Sequence, residues 1–529
     1  DCGGSRLRRE ALAVHVGDRN LAEVLELSVR DAKLWFDALE LSAHDTKVGE
    51  RLLQELRHRL DILERVGLHY LTLNRPANTL SGGESQRIHL ATSLSAALVG
   101  SMYILDEPSV GLHPRDADQL LGVLQALRDA GNTVIVVEHD DVFMRAADTV
   151  IDIGPGAGRL GGEVVYAGPG SGLALAPTLT GDYLSGRKQV GRTPLGTEAR
   201  HWIELRGARA QNLKDVTVRI PLERLTAVCG VSGSGKTTLV RNILVPALQK
   251  LLGEYGGRAG AFDELTGDWR RISAVEVVDQ NPMGKSSRSN PVTYLKAYDD
   301  IRNLYAAQKS AQLRGYAAKH FSFNTDGGRC PVCQGDGYVT VEMQFMADVH
   351  LKCEQCHGKR FMADVLEVEF QGKSISDILE LTVDEAMEFF AAHQQKKITD
   401  KLRPLADVGL GYIQLGQSSS TLSGGEAQRV KLASFLVRGH SADPVLFVFD
   451  EPTTGLHMDD VQKLLKSLDA LIALGHTVVV VEHHRDVLAA ADWLIELGPD
   501  GGPDGGHLLY AGDPREMKGI ESPTAVALR

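Results

Sequence analysis

The sequence predicts an α/β fold in which one module is used twice and a small metal-binding unit is inserted. Three observations predict it. Long stretches of the first part return in the second, apolar runs of strand length end in glycine-rich or acidic turns, and four of the six cysteines fall in two C-x-x-C pairs. At 529 residues, 43% apolar and 24% charged, the chain has the composition of a globular protein with several cores. No apolar run approaches the roughly 20 residues needed to cross a bilayer, so a cytoplasmic protein without a membrane partner is expected. A net charge of −12 excludes a generally basic coat, and any nucleic-acid contact is expected on a local patch.

The repeat sets the order of elements. TLSGGESQRIHLATSL at 79–94 returns as TLSGGEAQRVKLASFL at 421–436, YILDEPSVGLH at 103–113 as FVFDEPTTGLH at 447–457, and NTVIVVEHD at 132–140 as HTVVVVEHH at 476–484. Upstream, LAEVLELSVRDAKLWFDAL at 21–39 matches ISDILELTVDEAMEFFAAH at 375–393, and Cys2 falls opposite Cys356. The second copy holds GVSGSGKTT at 230–238 and CPVC at 330–333, with no match ahead of Cys2, so the chain is expected to start inside its first copy. The expected organisation is a first module over 1–185 (metal-unit remnant 1–10, signature subdomain 20–100, carboxylate-bearing lobe 100–170) and a linker at 186–200. A second module follows over 201–529, divided into a phosphate-loop lobe at 201–280, an inserted signature subdomain at 281–440 with the metal unit at 325–362, and a lobe at 441–529.

LTAVCGVSGSGKTTLVRNIL at 225–244 reads as strand, glycine-rich turn and helix start, the setting that a G-x-x-x-x-G-K-[ST] match requires. Gly230, Ser232, Gly233, Ser234 and Gly235 would close backbone N–H groups around phosphate at the positive end of the helix. Lys236 would reach the terminal phosphates, and Thr237, followed by Thr238, would hold Mg²⁺. Asp450-Glu451 ends an apolar strand: Asp450 would support the magnesium through water, and Glu451 would orient or deprotonate the attacking water. The same pair recurs as Asp106-Glu107. VVVVEH at 478–483 reads as a buried parallel strand delivering His483 at its carboxyl edge, and His139 repeats it; both are expected to sense the terminal phosphate. LSGGE, at 80–84 and 422–426, makes a small, donor-rich helix start suited to a γ-phosphate, from Ser81, Gly82 and Gly83 or from Ser423, Gly424 and Gly425.

Cys330-x₂-Cys333 and Cys353-x₂-Cys356 form two knuckles that can present four thiolates to one tetrahedral Zn²⁺. Cys229, on the strand before the phosphate loop, is expected in the core. Between the knuckles, YVTVEMQFMADVHL at 338–351 reads as a hairpin whose methionines and Phe345 can fill a core. Over 285–360 there are 11 Lys and Arg against 7 Asp and Glu, which reads equally as a solvated face or as a nucleic-acid patch with Arg288, Arg329, Lys352, Lys359 and Arg360 as the candidates for phosphate contacts.

Together these motifs resemble the ATP-binding cassette (ABC) superfamily, and their full order resembles the UvrA family, damage-recognition ATPases of bacterial nucleotide excision repair. EPSVGLH, EPTTGLH, DQNPMGKSSRSNPVTY at 279–294 and FNTDGGRCPVCQGDG at 323–337 carry the finer resemblance. It implies tandem ABC-type modules using ATP, Mg²⁺ and Zn²⁺, with Gln280 linking nucleotide state to the inserted domain. It also implies head-to-tail pairing, so that Lys236, Thr237, Asp450, Glu451 and His483 face Ser81 and Gly83 of the other module. The implied partners are damaged double-stranded DNA, a UvrB-type repair subunit of an excision nuclease system, and a second copy of the chain. YLKAY at 294–298 and ASFLVRGH at 433–440 depart from the housekeeping pattern and leave open a class II paralogue associated with tolerance of DNA-binding drugs. The motor of a transporter is the reading from another class, opposed by the long insertion between Lys236 and Asp450.

Overall fold

A computed structural model describes residues 4–80, 82–95, 99–195, 198–254, 256–279, 289–341, 343, 348–438 and 443–529. The second repeat is built on a six-stranded sheet in the order Ala274–Val278, Val445–Asp450, Thr477–Val481, Leu225–Gly230, Trp493–Gly498, His507–Gly512. The first five strands run parallel and the last antiparallel. VCG, FVF and VVVV are fully apolar because helices and a second sheet cover both faces. Register then aligns their ends: Asp450 lies opposite Val481, and Val481 opposite Val228. Gly230, Asp450, Glu451 and His483 are thereby gathered at the carboxyl edge, where open α/β sheets bind ligands.

An antiparallel sheet of Glu264–Gly267, Trp202–Ala208 and Val216–Pro221 covers one face, together with the helical stretch from Thr238 through Leu251. The other face packs on the inserted helical subdomain, whose core runs from Val292 to Val430. The segment before Trp202, expected as a linker, is docked: the Arg192 side chain is 2% exposed and pairs with Asp469 at 2.6 Å and Asp492 at 3.1 Å.

In the first repeat, Met102–Asp106 pairs in parallel with Thr133–Val137, and Val150–Gly154 pairs antiparallel with Glu163–Gly168. Among the described residues no strand lies between these two pairs, the place taken in the second repeat by Leu225–Gly230. The consequence shows in burial. Ile104, Ile135 and Ile153 are 69%, 43% and 65% exposed, whereas their counterparts Val448, Val479 and Leu497 are 0% exposed. Among the described residues, the two first-repeat strand pairs therefore present a bare apolar face.

The inserted unit places Cys330, Cys333, Cys353 and Cys356 together and projects a hairpin, Tyr338–Val341 against Val349–Lys352. Every residue of both strands is exposed, including Tyr338, Val339, Val341, Val349 and Leu351, so the described strands fill no core. Phe345 lies outside the described residues. Among the described residues no helix is long and apolar enough to cross a membrane.

Candidate functional site

The phosphate loop turns tightly because its glycines sit where side chains are excluded. Gly230, Gly233 and Gly235 all have positive φ, and a Cβ on Gly230 would lie 1.9 Å from the Leu497 carbonyl oxygen. Lys236 is buried and donates through Nζ to the carbonyls of Gly230 and Val231, both at 3.0 Å. Burial lowers its pKa, and Glu451, Cys229, Asp116 and Asp450 oppose that shift. Ser234 Oγ is buried without a partner among the described residues, an unsatisfied group inside the cradle that a phosphate oxygen would satisfy. Thr237 and Thr238 begin the helix, with Thr237 exposed. Cys229 is fully buried in the strand, as a core residue.

Glu451 stands at φ +47° and Glu107 at φ +44°, backbone that costs a side-chain-bearing residue about 1–3 kcal/mol and that clusters at functional sites. Each reaches across to the other repeat. A Cβ on Gly111 would lie 3.1 and 3.2 Å from the Glu451 carboxylate oxygens, and one on Gly455 would lie 3.0 Å from Glu107 Oε1. Burial, reinforced by Asp450 and Glu482, raises the Glu451 pKa to about 7 against the pull of Lys236 and Arg87. Glu107 is also raised by burial, with His139 3.7 Å away countering it. Asp450 pairs with Arg241 at 3.0 Å. Its counterpart Asp106 accepts from Gln86 at its carbonyl. His483 is buried, and burial followed by the cations Lys236 and Arg87 keeps it neutral, well below an ordinary histidine.

The loops between the acidic pair and the next helix make the contact symmetric. Ser232 Oγ donates to the Gly111 carbonyl (3.3 Å), and Ser232 N–H to Asp116 Oδ2 (3.3 Å). His113 Nδ1 accepts from Arg115 N–H, which leaves Nε2 to donate to Thr524 Oγ1 of the second repeat at 3.3 Å. His457 repeats the arrangement with Thr180 of the first repeat at 3.2 Å. Glu138 and Glu482 each fasten this loop within their own repeat by accepting three backbone N–H groups. A cavity of about 380 Å³ lies at the junction, lined by Glu107, His139, Glu451, His483 and the two loops.

Tyr70 packs its ring on the phosphate loop, where a Cβ on Gly233 would lie 2.6 Å from it, and its hydroxyl donates to Glu84 of the first LSGGE at 2.7 Å. In the second LSGGE, Ser423 and Glu426 form reciprocal caps ahead of the helix Gly424–Arg438: Ser423 N–H donates to Glu426 Oε2, and Glu426 N–H to Ser423 Oγ. Ser81 lies outside the described residues. Gly82 and Gly83 open the first signature helix, Gly82–Ser95, with Gly83 so close to the Val110 carbonyl that a Cβ would stand 2.6 Å from it. Gly425 has the same tight relation to the Thr454 carbonyl, at 2.9 Å. Gln280 and Arg288 also lie outside the described residues.

Sequence reasoning missed Tyr70, Arg87, Asp116 and the histidine pair His113/His457. GLH at 111–113 and 455–457, and QR following each LSGGE, were repeat signals that could have found two of them.

The four paired thiols lie within 4.8 Å of one another, with Sγ–Sγ separations of 3.8 Å (Cys330–Cys353) and 3.6 Å (Cys333–Cys356). Those are the edges of a tetrahedron with Zn–S bonds of ~2.3 Å, and far exceed a disulfide. The donor set therefore fits Zn²⁺. Of the DNA candidates, Lys352 and Lys359 are exposed. Arg329 is engaged with Asp326 at 2.7 Å and the Gln334 carbonyl, and Arg360 lies over the Phe323 ring.

A phosphate-loop sheet, paired LSGGE helices and two repeats joined through their acidic-pair loops define the class: an ABC-type ATPase fold. Residues 17–145 match the family described as "AAA domain, putative AbiEii toxin, Type IV TA system". The chain is 49% identical over 518 residues to UvrABC system protein A of Staphylococcus epidermidis, covering 98% of this chain and 54% of that protein. It is 50% identical over 534 residues to the protein of the same name in Thermus thermophilus, covering 100% and 55%. The crystal structure of UvrA2 from Deinococcus radiodurans superposes with a TM-score of 0.89 at 44% identity, over 100% of this chain and 66% of that one. The chain belongs to the UvrA family and spans about half the length of the curated relatives it matches.

Proposed function

We propose that this chain is the ATP-hydrolysing part of a protein that recognises damaged duplex DNA in nucleotide excision repair. The observation that carries the reading is Glu451, held in strained backbone against Gly111 of the other repeat, with a carboxyl pKa near 7. Lys236 and the Gly230–Gly235 backbone hold the nucleotide phosphates, and Ser234 Oγ gains the partner it lacks. Thr237 and Asp450 are the residues to hold Mg²⁺, which supplies charge neutralisation on the phosphates. For that, Asp450 must leave Arg241. Glu451 takes the proton of the attacking water, neutral His483 donates to the terminal phosphate, and Gln280 relays nucleotide state to the inserted subdomain. Ser81, Gly82 and Gly83 close the site from the first repeat. Asp106, Glu107, His139, Ser423, Gly424 and Gly425 are the matching half of a second site.

The bare first-repeat face accepts a layer like the one formed in the second repeat by Leu225–Gly230 and the antiparallel sheet. Cys330, Cys333, Cys353 and Cys356 hold Zn²⁺ and brace the exposed hairpin, which with Lys352 and Lys359 meets DNA. Recognition follows duplex shape, since the described strands of the hairpin expose chiefly apolar side chains beside Lys352. A UvrB-type subunit and a second copy are the proposed protein partners. The test is ATP turnover by the intact protein with damaged and undamaged duplex present. Turnover that ignores DNA, together with equal affinity for both duplexes, refutes the reading.

A further inference from the structure

Two similar repeats could pair first with second, or like with like between chains. The joints formed by Gly111, Gly455, His113 and His457 are the same in both directions and do not discriminate. The ion pairs beside them do. Asp500 of the second repeat receives three groups of the first: Arg30 at 2.9 Å, His69 at 2.9 Å and Arg115 at 3.1 Å, with Asp504 3.8 Å from Arg30. On the other side the polarity is reversed. Arg159 of the first repeat lies 3.7 Å from Glu385 of the second and donates to the Glu380 carbonyl at 3.1 Å.

The repeat makes the inversion explicit. In LSVRDA and LTVDEA, Arg30 corresponds to Asp384. In GLHYL and GLGYI, His69 corresponds to Gly411, and in GLHPRD and GLHMDD, Arg115 corresponds to Asp459. In GPGAGRL and GPDGGPD, the acids Asp500 and Asp504 correspond to Gly156 and Leu160. The Asp384 carboxylate occupies the space at Gly411, where a Cβ would lie 2.1 Å from its Oδ2. One receiving face is thus cationic and the other anionic, and each loop carries the charge opposite to the face it meets.

We propose that these two charge-inverted locks commit the first repeat to the second and reject pairing of like repeats. A second-with-second contact would set Asp500 and Asp504 against Asp384, Glu385 and Asp459, the last of these paired with Lys463 at 2.9 Å, and a first-with-first contact would set Arg159 against Arg30 and Arg115. Both juxtapose like charges, which penalises wrong partners more strongly than matched pairs reward right ones. Burial alone would raise the Asp500 carboxyl, but hydrogen bonds from His69 and Arg30 outweigh it and hold the group well below the usual range.

The inference concerns pairing and stands apart from the chemistry. Its test is sedimentation of the full chain carrying Asp500→Arg with Asp504→Arg, which makes the second-repeat loop complementary to the second repeat's own acidic face. Self-association should rise about tenfold or more over a chain carrying Asp500→Asn with Asp504→Asn in about 0.1 M salt. The gain should vanish in about 1 M salt, where the screening length falls from ~10 to ~3 Å. Adding Arg30→Glu and Arg115→Glu should return the native profile. Arg159→Glu, rescued by Glu385→Arg, tests the other lock. Equal association of the charge-reversed and neutral chains, or failure of both rescues in chains whose circular dichroism is native, overturns the proposal.

Discussion

At the residue scale the account turns on Glu451. Its carboxyl binds a proton more tightly in the folded chain than in the unfolded one. That stabilises the fold at low pH, and the contribution is lost as pH rises through about 7. As a base it must be ionised, so turnover is expected to fall as pH drops below about 7. Glu451→Gln should lower turnover by about 10²–10⁴-fold, leave nucleotide affinity within a few-fold, and abolish that acid limb; a pH–rate profile checks all three. Gly111, at φ +68° and against the Glu451 carboxylate, should tolerate no side chain. Gly111→Ala is expected to cost about 1–2 kcal/mol in denaturant unfolding and to reduce turnover, while Gly122→Ala, in mid-helix with open space at its Cβ, should stabilise by about 0.5–1 kcal/mol and leave turnover unchanged. The candidate residues that the structure gathers at the sheet edge were legible because each occurs in a motif, and the acidic pair and its histidine occur twice. Tyr70 and Asp116 were not, because their importance comes from packing against a loop more than 100 residues away in sequence, and no local pattern encodes that proximity.

At the element scale, one strand pattern has two fates. Ile153 and Leu497 occupy equivalent strand positions, yet one is 65% exposed and the other fully buried. Leu497→Ala should cost about 2–5 kcal/mol, whereas Ile153→Ala in this chain should cost under ~0.5 kcal/mol; urea midpoints distinguish them. Equal costs would mean that the first-repeat face is covered. Apolar periodicity announces strands but is silent on what covers them, which is why the sequence alone gave strand positions and not the bare face. The metal unit was the most legible element, since C-x-x-C pairs carry their geometry in their spacing. Chelation should release one Zn²⁺ per chain and lower the thermal midpoint, and Cys333→Ser should reproduce both effects; unchanged metal content in that variant removes Cys333 from the ligand set. The arginines of the same unit show the opposite lesson. Arg329 and Arg360 read as candidates for phosphate contacts, but Arg329 pairs with Asp326 and Arg360 lies over the Phe323 ring.

At the scale of the whole molecule, the two repeats interlock through reciprocal contacts of the loops that follow their acidic pairs. Ser232, Glu451 and the Tyr70-covered Gly233 all meet first-repeat groups, and reciprocal histidine–threonine bonds tie the far side. Head-to-tail pairing was available from the sequence only through family resemblance; the charges that make it directional lie in loops where the repeats differ, and a comparison that scores likeness passes over them. The most direct test is the nucleotide affinity and ATP turnover of chains carrying Ser81→Arg or Ser423→Arg, each compared with Lys236→Ala. If the first repeat closes the Lys236 site, Ser81→Arg should abolish turnover as completely as Lys236→Ala, while Ser423→Arg should leave that site's turnover intact. Turnover that survives Ser81→Arg and is lost in Ser423→Arg would contradict the composite site.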